Sequence, residues 1–170
     1  EQAPTAPDGV CARAMVGEPA GHVWLYRGVA QCPEDLTWAL LHEMGHAIAN
    51  LADEYDYADG TRYTGSEPSE PNVSILQSAQ MLAASSKWAA WLGVNDSTSC
   101  GLVSTYEGAM YCQYGIYRPT SQSRMRTLGY PFNPPCREAL IIAFYKLVSP
   151  IDSSTPTTAT LNGNETVFVD

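Results

Sequence analysis

Basic residues are scarce in this chain. Nine Lys and Arg stand against eighteen Asp and Glu, a formal net charge of −9. A surface this acidic repels phosphate, which argues against nucleic acid or an anionic membrane as partner. Long apolar runs are missing too. The longest candidate, Ala139 to Val148, contains Lys146 and is too short to cross a bilayer. No secretory leader is visible before Glu1-Gln2-Ala3-Pro4, so a mature form or an excised fragment is expected. None of the five cysteines forms a C-x-x-C pair, which makes a structural zinc knuckle unexpected. Histidine is scarcer still, with three residues in the chain, and two of those stand four apart at His42 and His46.

These two belong to His42-Glu43-Met44-Gly45-His46, an H-E-x-x-H pattern. On a helix, residues i and i+4 share a face, so both imidazoles can reach one metal ion. Glu43 can then take a proton from a water on that ion, which is the arrangement of a zinc peptidase. The preceding residues, from Pro33 to Leu41, read as helix: acidic residues near the start, then strong helix formers. The helix is expected over 33–50. Gly45 between the histidines would let another segment approach closely.

A catalytic zinc usually takes three protein ligands. The long form H-E-x-x-H-x-x-G-x-x-H fails here, because Ala49 and Ala52 occupy the Gly and last His positions. One residue later the same logic returns. Asn50 suits a left-handed helix end, and Asp53 follows three residues on. Asp53 is the expected third ligand, with Glu54 next and the lone His22 after it.

The run His42 to Tyr55, with Leu51-Ala52-Asp53-Glu54-Tyr55 after H-E-x-x-H, resembles the signature of the immunoglobulin A peptidase family of zinc metallopeptidases. Further blocks agree in order: Tyr106 to Cys112, Tyr117-Arg118-Pro119, Ser123-Arg124-Met125-Arg126, and Arg137-Glu138-Ala139. The resemblance covers about residues 35 to 150. It implies a zincin fold with a methionine turn beneath the metal, for which Met125 is the candidate; its soft thioether would pack against the imidazoles. Many metzincins carry a tyrosine two residues after this Met to stabilise the oxyanion, but here that position is Thr127. Tyr117, Tyr130, Arg124 and Arg126 are the remaining candidates. The resemblance also implies more sheet before the active-site helix than the preceding residues provide, so neighbouring domains or another chain are expected.

The cysteines and three Asn-x-Ser/Thr sequons, at Asn72, Asn95 and Asn164, suggest a secreted glycoprotein. Cys11–Cys32 and Cys100–Cys112 are plausible disulfides, leaving Cys136 over. Residues 1–21 read as an irregular lead-in and His22 to Ala30 as an edge strand beside the cleft. Residues 54–73 read as a solvated acidic loop rather than a calcium site. Ile75 to Leu92 looks helical, with Trp88 and Trp91 on one face. Residues 102–135 read as loops and short strands. Asn133-Pro134-Pro135 should cap and open a last helix over about 136–147, packed through Leu140, Ile141, Phe144 and Leu147. A Ser/Thr/Pro-rich linker follows, then a strand pair around Asn162-Gly163.

The expected architecture is therefore α+β: a zincin-like metallopeptidase catalytic domain at 1–150 with an active-site helix, a small mixed sheet and a C-terminal helix. Residues 151–170 would be a linker and the start of a β-rich domain. The expected function is a secreted zinc-dependent endopeptidase. Zn2+ is held by His42, His46 and Asp53, Glu43 is the general base, and the substrate is protein or peptide. The alternative is a non-catalytic zinc-containing adhesion or glycan-binding domain, suggested by ten tyrosines and four tryptophans.

Overall fold

In the computed structural model the described residues are 36–148, together with the backbones of four short strands, β1 (Ala12–Met15), β2 (His22–Leu25), β7 (Ser154–Thr155) and β8 (Phe168–Val169). Between them lie helices α1 (Leu36–Ala49), α2 (Ser78–Ala84) and α3 (Pro134–Tyr145), and strands β3 (Asn95–Asp96), β4 (Gly101–Leu102), β5 (Tyr106–Ala109) and β6 (Cys112–Arg118). The strands pair as β1–β2, β3–β4, β5–β6 and β7–β8, all antiparallel. The composition is α+β as expected, but the described residues show separate two-stranded ladders in place of one mixed sheet.

The helix α1 carries the H-E-x-x-H pattern on its last two turns. Glu34 and Asp35 precede it and lie outside the described residues. Asn50 ends it with φ +50°, the left-handed conformation expected of it. There the Asn50 N–H closes the last turn on the His46 carbonyl, and the Leu51 N–H reaches back to the Gly45 carbonyl. The chain thus folds back under α1 instead of continuing away from it.

Beneath α1 sits a core of Ala49, Leu51, Met125 and Cys136, packed by Phe132, Ala139, Leu140 and Ala143. The α3 contribution is Cys136, Ala139, Leu140 and Ala143, the i, i+3, i+4, i+7 stripe of an amphipathic helix. Of the four apolar positions expected to pack, only Leu140 does. Ile141, Phe144 and Leu147 are exposed, because the small residues set the close approach to α1. Asn133 caps α3 as expected: its side-chain oxygen accepts from the Cys136 N–H at 3.1 Å, ahead of prolines in the first turn.

A second core joins Ala52, Val73, Ala109 and Ile116, and a third joins Met81, Trp88 and Val103. The helix expected over Ile75 to Leu92 is broken. It stops at Ala84, and one 3-10 turn follows at Ala89–Trp91. Ser85 and Lys87 between them have φ +46° and +51°. The break lets Trp88 turn inward and give its indole N–H to the Ser104 carbonyl. Trp91 donates to Glu138 on α3, so both tryptophans serve packing.

Other expectations change as well. The presumed irregular lead-in contains β1, paired with β2 at the start of the expected edge strand. β7 pairs with β8, while the turn at Asn162-Gly163 lies outside the described residues. Cys100, Cys112 and Cys136 are all free thiols. Cys100 is buried with its thiol donating to the Pro131 carbonyl, and Cys112 packs on the Ala52–Ile116 core, so the Cys100–Cys112 disulfide is not formed. The pair Cys11–Cys32 lies outside the described residues. Asn72 is fully buried and its amide is spent on Ala52 and Glu54, so this sequon cannot carry a glycan in the folded chain. No described helix is long and apolar enough to cross a membrane.

A Cβ added at Gly45 would stand 2.9 Å from Met125 Sδ, 3.1 Å from Phe132 Cε1 and 3.2 Å from Leu51 Cδ1. Alanine would gain about 1 kcal/mol of helix propensity but overpack three fixed neighbours at about 1–3 kcal/mol. Gly45→Ala is expected to lower the unfolding midpoint in a thermal melt, against the usual direction for Gly→Ala in a helix.

Candidate metal centre and active site

The last two turns of α1 and the chain reversal at Asn50 bring three side chains to one point. His42 Nε2 and His46 Nε2 are 3.1 Å apart, and Asp53 Oδ1 lies 3.0 Å from the first and 3.3 Å from the second. They form the one His/Cys/Asp/Glu group among the described residues with ligand-like convergence. Ligands at about 2.0–2.1 Å around a tetrahedral ion stand roughly 3.3 Å from one another, so the spacing is that of a small divalent cation.

The hydrogen bonds behind the rings fix their tautomers. His42 Nδ1 donates to the Arg124 carbonyl at 3.0 Å, and His46 Nδ1 donates to the Leu51 carbonyl. A carbonyl can only accept, so each Nδ1 carries a proton and each ring turns its Nε2 inward, where the neutral form offers a lone pair. Asp53 Oδ1 is buried without a hydrogen bond. Two ring nitrogens and a carboxylate oxygen thus meet at one point, a pocket that calls for positive charge. Burial works against charge on Asp53, yet its contacts with His42, His46 and Tyr111 hold the carboxyl well below the usual carboxylate range. Burial likewise opposes a charge on His46, but the neighbouring Asp53, then the Leu51 carbonyl and Glu43, outweigh it and raise the imidazole. A proton or a metal cation answers the same need, and the donor set of two imidazoles and one carboxylate fits the cation.

Glu43 is half-buried on α1 between the two histidines, close enough for its charge to act on His46 and Tyr55. Met125 is fully buried directly under Gly45. Its carbonyl accepts from the Glu54 N–H at 2.8 Å, tying this turn to the strand-like segment that carries Asp53.

A scan against family models matches residues 10–100 and 94–144 to the model described as IgA peptidase M64. The chain belongs to that family. No curated protein matches the chain significantly. A peptidase acts on protein or peptide, and the group that could hold a metal ion is His42, His46 and Asp53.

Glu54, the second choice for third ligand, points away. Neighbouring side chains of an extended segment project to opposite sides, so turning Asp53 toward the histidines turns Glu54 into the interior. It is completely buried. Its carboxylate accepts from Asn72 at 2.9 Å, from Asn133 at 3.1 Å to each oxygen, from the Ser123 hydroxyl and from the Cys136 thiol at 3.3 Å. Burial pushes its pKa up, and the four donors pull against that. Glu107 accepts from the Gly115 N–H on the β5–β6 ladder. His22 lies in β2, whose side chains are outside the described residues.

Among the oxyanion candidates, the Tyr117 hydroxyl accepts from Gln77 ahead of α2. Tyr130 is engaged through its backbone N–H to Thr127. Arg126 binds the Glu54 carbonyl at 3.0 Å and Asp56 at 3.2 Å. Arg124 stacks on Trp38, 4.4 Å from the ring centre. The tyrosine that does meet the site is Tyr111, whose hydroxyl donates to Asp53 Oδ2. That bond occupies Oδ2 and leaves Oδ1 to face the histidines. Tyr111 was missed because it sits at the tip of the β5–β6 hairpin without the Asn-Gly signature of such a tip.

Two outcomes follow for these supporting residues. Tyr111→Phe frees Asp53 to rotate and should weaken metal binding about 10–100-fold, read by competition with a chromogenic chelator. Glu54→Gln sets an amide against four donors and should destabilise the fold by roughly 2–3 kcal/mol, read by urea unfolding.

Proposed function

We propose that the chain is a zinc-dependent endopeptidase of zincin type, acting in a secreted setting. The observation that carries the reading is the meeting of His42 Nε2, His46 Nε2 and Asp53 Oδ1 within 3.0–3.3 Å, with both Nδ1 atoms tied to carbonyls. Two nitrogens and one carboxylate oxygen are the donor set of catalytic zinc, and three protein ligands leave a position open. The site is too tight and too nitrogen-rich for calcium. The packing of Met125 beneath Gly45 supports the zincin relation, and among the described residues the exposed Asn95 sequon supports secretion.

Zinc bound here would supply Lewis acidity, lowering the pKa of a water and drawing electron density from the scissile carbonyl. Glu43 accepts the proton of the attacking water and returns it to the leaving amine nitrogen. His42 and His46 are held in orientation by the Arg124 and Leu51 carbonyls, and Asp53 by Tyr111. Arg124 is thus coupled to the reaction through its backbone, whatever its side chain does.

Glu43→Gln should lower casein hydrolysis by about 10²–10⁴-fold with metal content and fold retained. Asp53→Ala should lose both metal, by elemental analysis, and hydrolysis. Hydrolysis that survives Glu43→Gln at full rate would overturn the mechanism. A metal-loaded, folded Asp53→Ala would overturn the ligand set.

A further inference from the structure

The β5–β6 hairpin closes with Ala109 opposite Cys112, leaving Met110 and Tyr111 as a two-residue loop. Both have positive φ, +47° and +67°. Such a loop favours Asn-Gly, and a bulky residue in this conformation is a strained choice that stands out where function is sought. The conformation turns the Tyr111 ring back over Asp53, and its far side meets two more tyrosines.

Tyr57 stacks on Tyr111 with ring centres 5.4 Å apart and an interplanar angle of 18°. Tyr55 meets Tyr111 edge-on at 5.2 Å. The segments are locked together as well: the Tyr111 N–H bonds the Tyr55 carbonyl, the Tyr57 N–H bonds the Tyr111 carbonyl, and the Met110 N–H bonds the Asp53 carbonyl. Alternation along 55–57 sends Asp56 inward to Arg126 and both tyrosines to the other side. Tyr57 is nevertheless 64% exposed and Tyr111 44%. A stacked aromatic pair that starts on a metal ligand and ends in solvent is a poor core element and a good landing surface.

We propose that Tyr57, backed by Tyr111, is the floor of a subsite for an aromatic side chain of the peptide substrate near the cleaved bond. The inference deepens the peptidase reading and rests on it. An extended peptide advances about 3.3 Å per residue, so a side chain within two or three residues of the scissile carbonyl reaches a ring one stacking distance beyond Tyr111. A flat ring lies on Tyr57 in the offset geometry that aromatic pairs prefer. Alanine in the same place leaves the platform wet.

The test uses zinc-loaded Glu43→Gln, so that binding is read apart from chemistry. Fluorescently labelled peptides differ only in Ala, Leu or Phe at successive positions around one bond. Kd is measured for Glu43→Gln alone and for the same chain with Tyr57→Ala or Tyr57→Phe, alongside hydrolysis of the same peptides by the wild type. The expected result is a Phe-over-Ala preference of about tenfold at one position. It should be lost with Tyr57→Ala and kept with Tyr57→Phe. Equal binding of the Phe and Ala peptides at every position, or a preference that survives Tyr57→Ala, overturns the subsite. A preference that obeys Tyr57 while the wild type cleaves nothing upholds the subsite and overturns the catalytic reading.

Discussion

A carboxylate buried without any contact to water sets the terms for everything around it. Glu54 is such a group, and the fold surrounds it with donors: the amides of Asn72 and Asn133, the Ser123 hydroxyl and the Cys136 thiol. Removing a carboxylate from water costs several kcal/mol in a real protein interior, and only a full set of charge-assisted hydrogen bonds offsets that. Each donor brings its own segment along. Asn72 also clasps the Ala52 backbone through both its amide atoms. Asn133 also caps α3. Ser123 opens the turn that carries Met125. Satisfying one charge therefore docks the 71–74 segment, the methionine turn and α3 against the segment that bears Asp53.

The convergence of His42, His46 and Asp53 is the outward face of the same arrangement. Asp53 and Glu54 are consecutive, so fixing one side chain fixes the direction of the other. The histidines receive their orientation from backbone carbonyls, Arg124 from the methionine turn and Leu51 from the reversed chain after α1. Carbonyls are dependable partners here because their identity does not depend on the side chain at those positions. Tyr111, from a hairpin far along the chain, completes the set by holding the second oxygen of Asp53.

Much of this centre was legible in the residues themselves, for reasons that are local. The i, i+4 spacing of His42 and His46 places them on one face whatever surrounds the helix. Asn50 marks a left-handed stop, and the three residues from there to Asp53 bring the chain back. Asn133 followed by two prolines announces a helix start. What failed to show was governed by distant contacts. The choice between Asp53 and Glu54 depends on donors as far away as residues 72, 123, 133 and 136. The α2 helix breaks because Trp88 gains more by turning inward than the helix gains by continuing. The α3 face uses Ala139 and Ala143 because α1 lies too close for Ile141 or Phe144. Tyr111 carries no local mark, since the residues at its hairpin tip are the wrong ones for its conformation. Asn72 fits a glycosylation pattern that its burial forbids.

The three converging side chains and Glu43 fall within twelve consecutive positions, 42–53, whereas the groups that orient them are spread from Leu51 to Asn133. The chemistry is therefore compact in sequence and dispersed in support. A helix-and-turn segment transplanted into a foreign scaffold would carry every donor atom and almost none of the restraint. Its rings would lack the Arg124 carbonyl, its carboxylate would lack Tyr111, and the buried glutamate would find itself in a host with no donors for it. Grafting this centre would mean carrying over the Glu54 cage first and the ligands second.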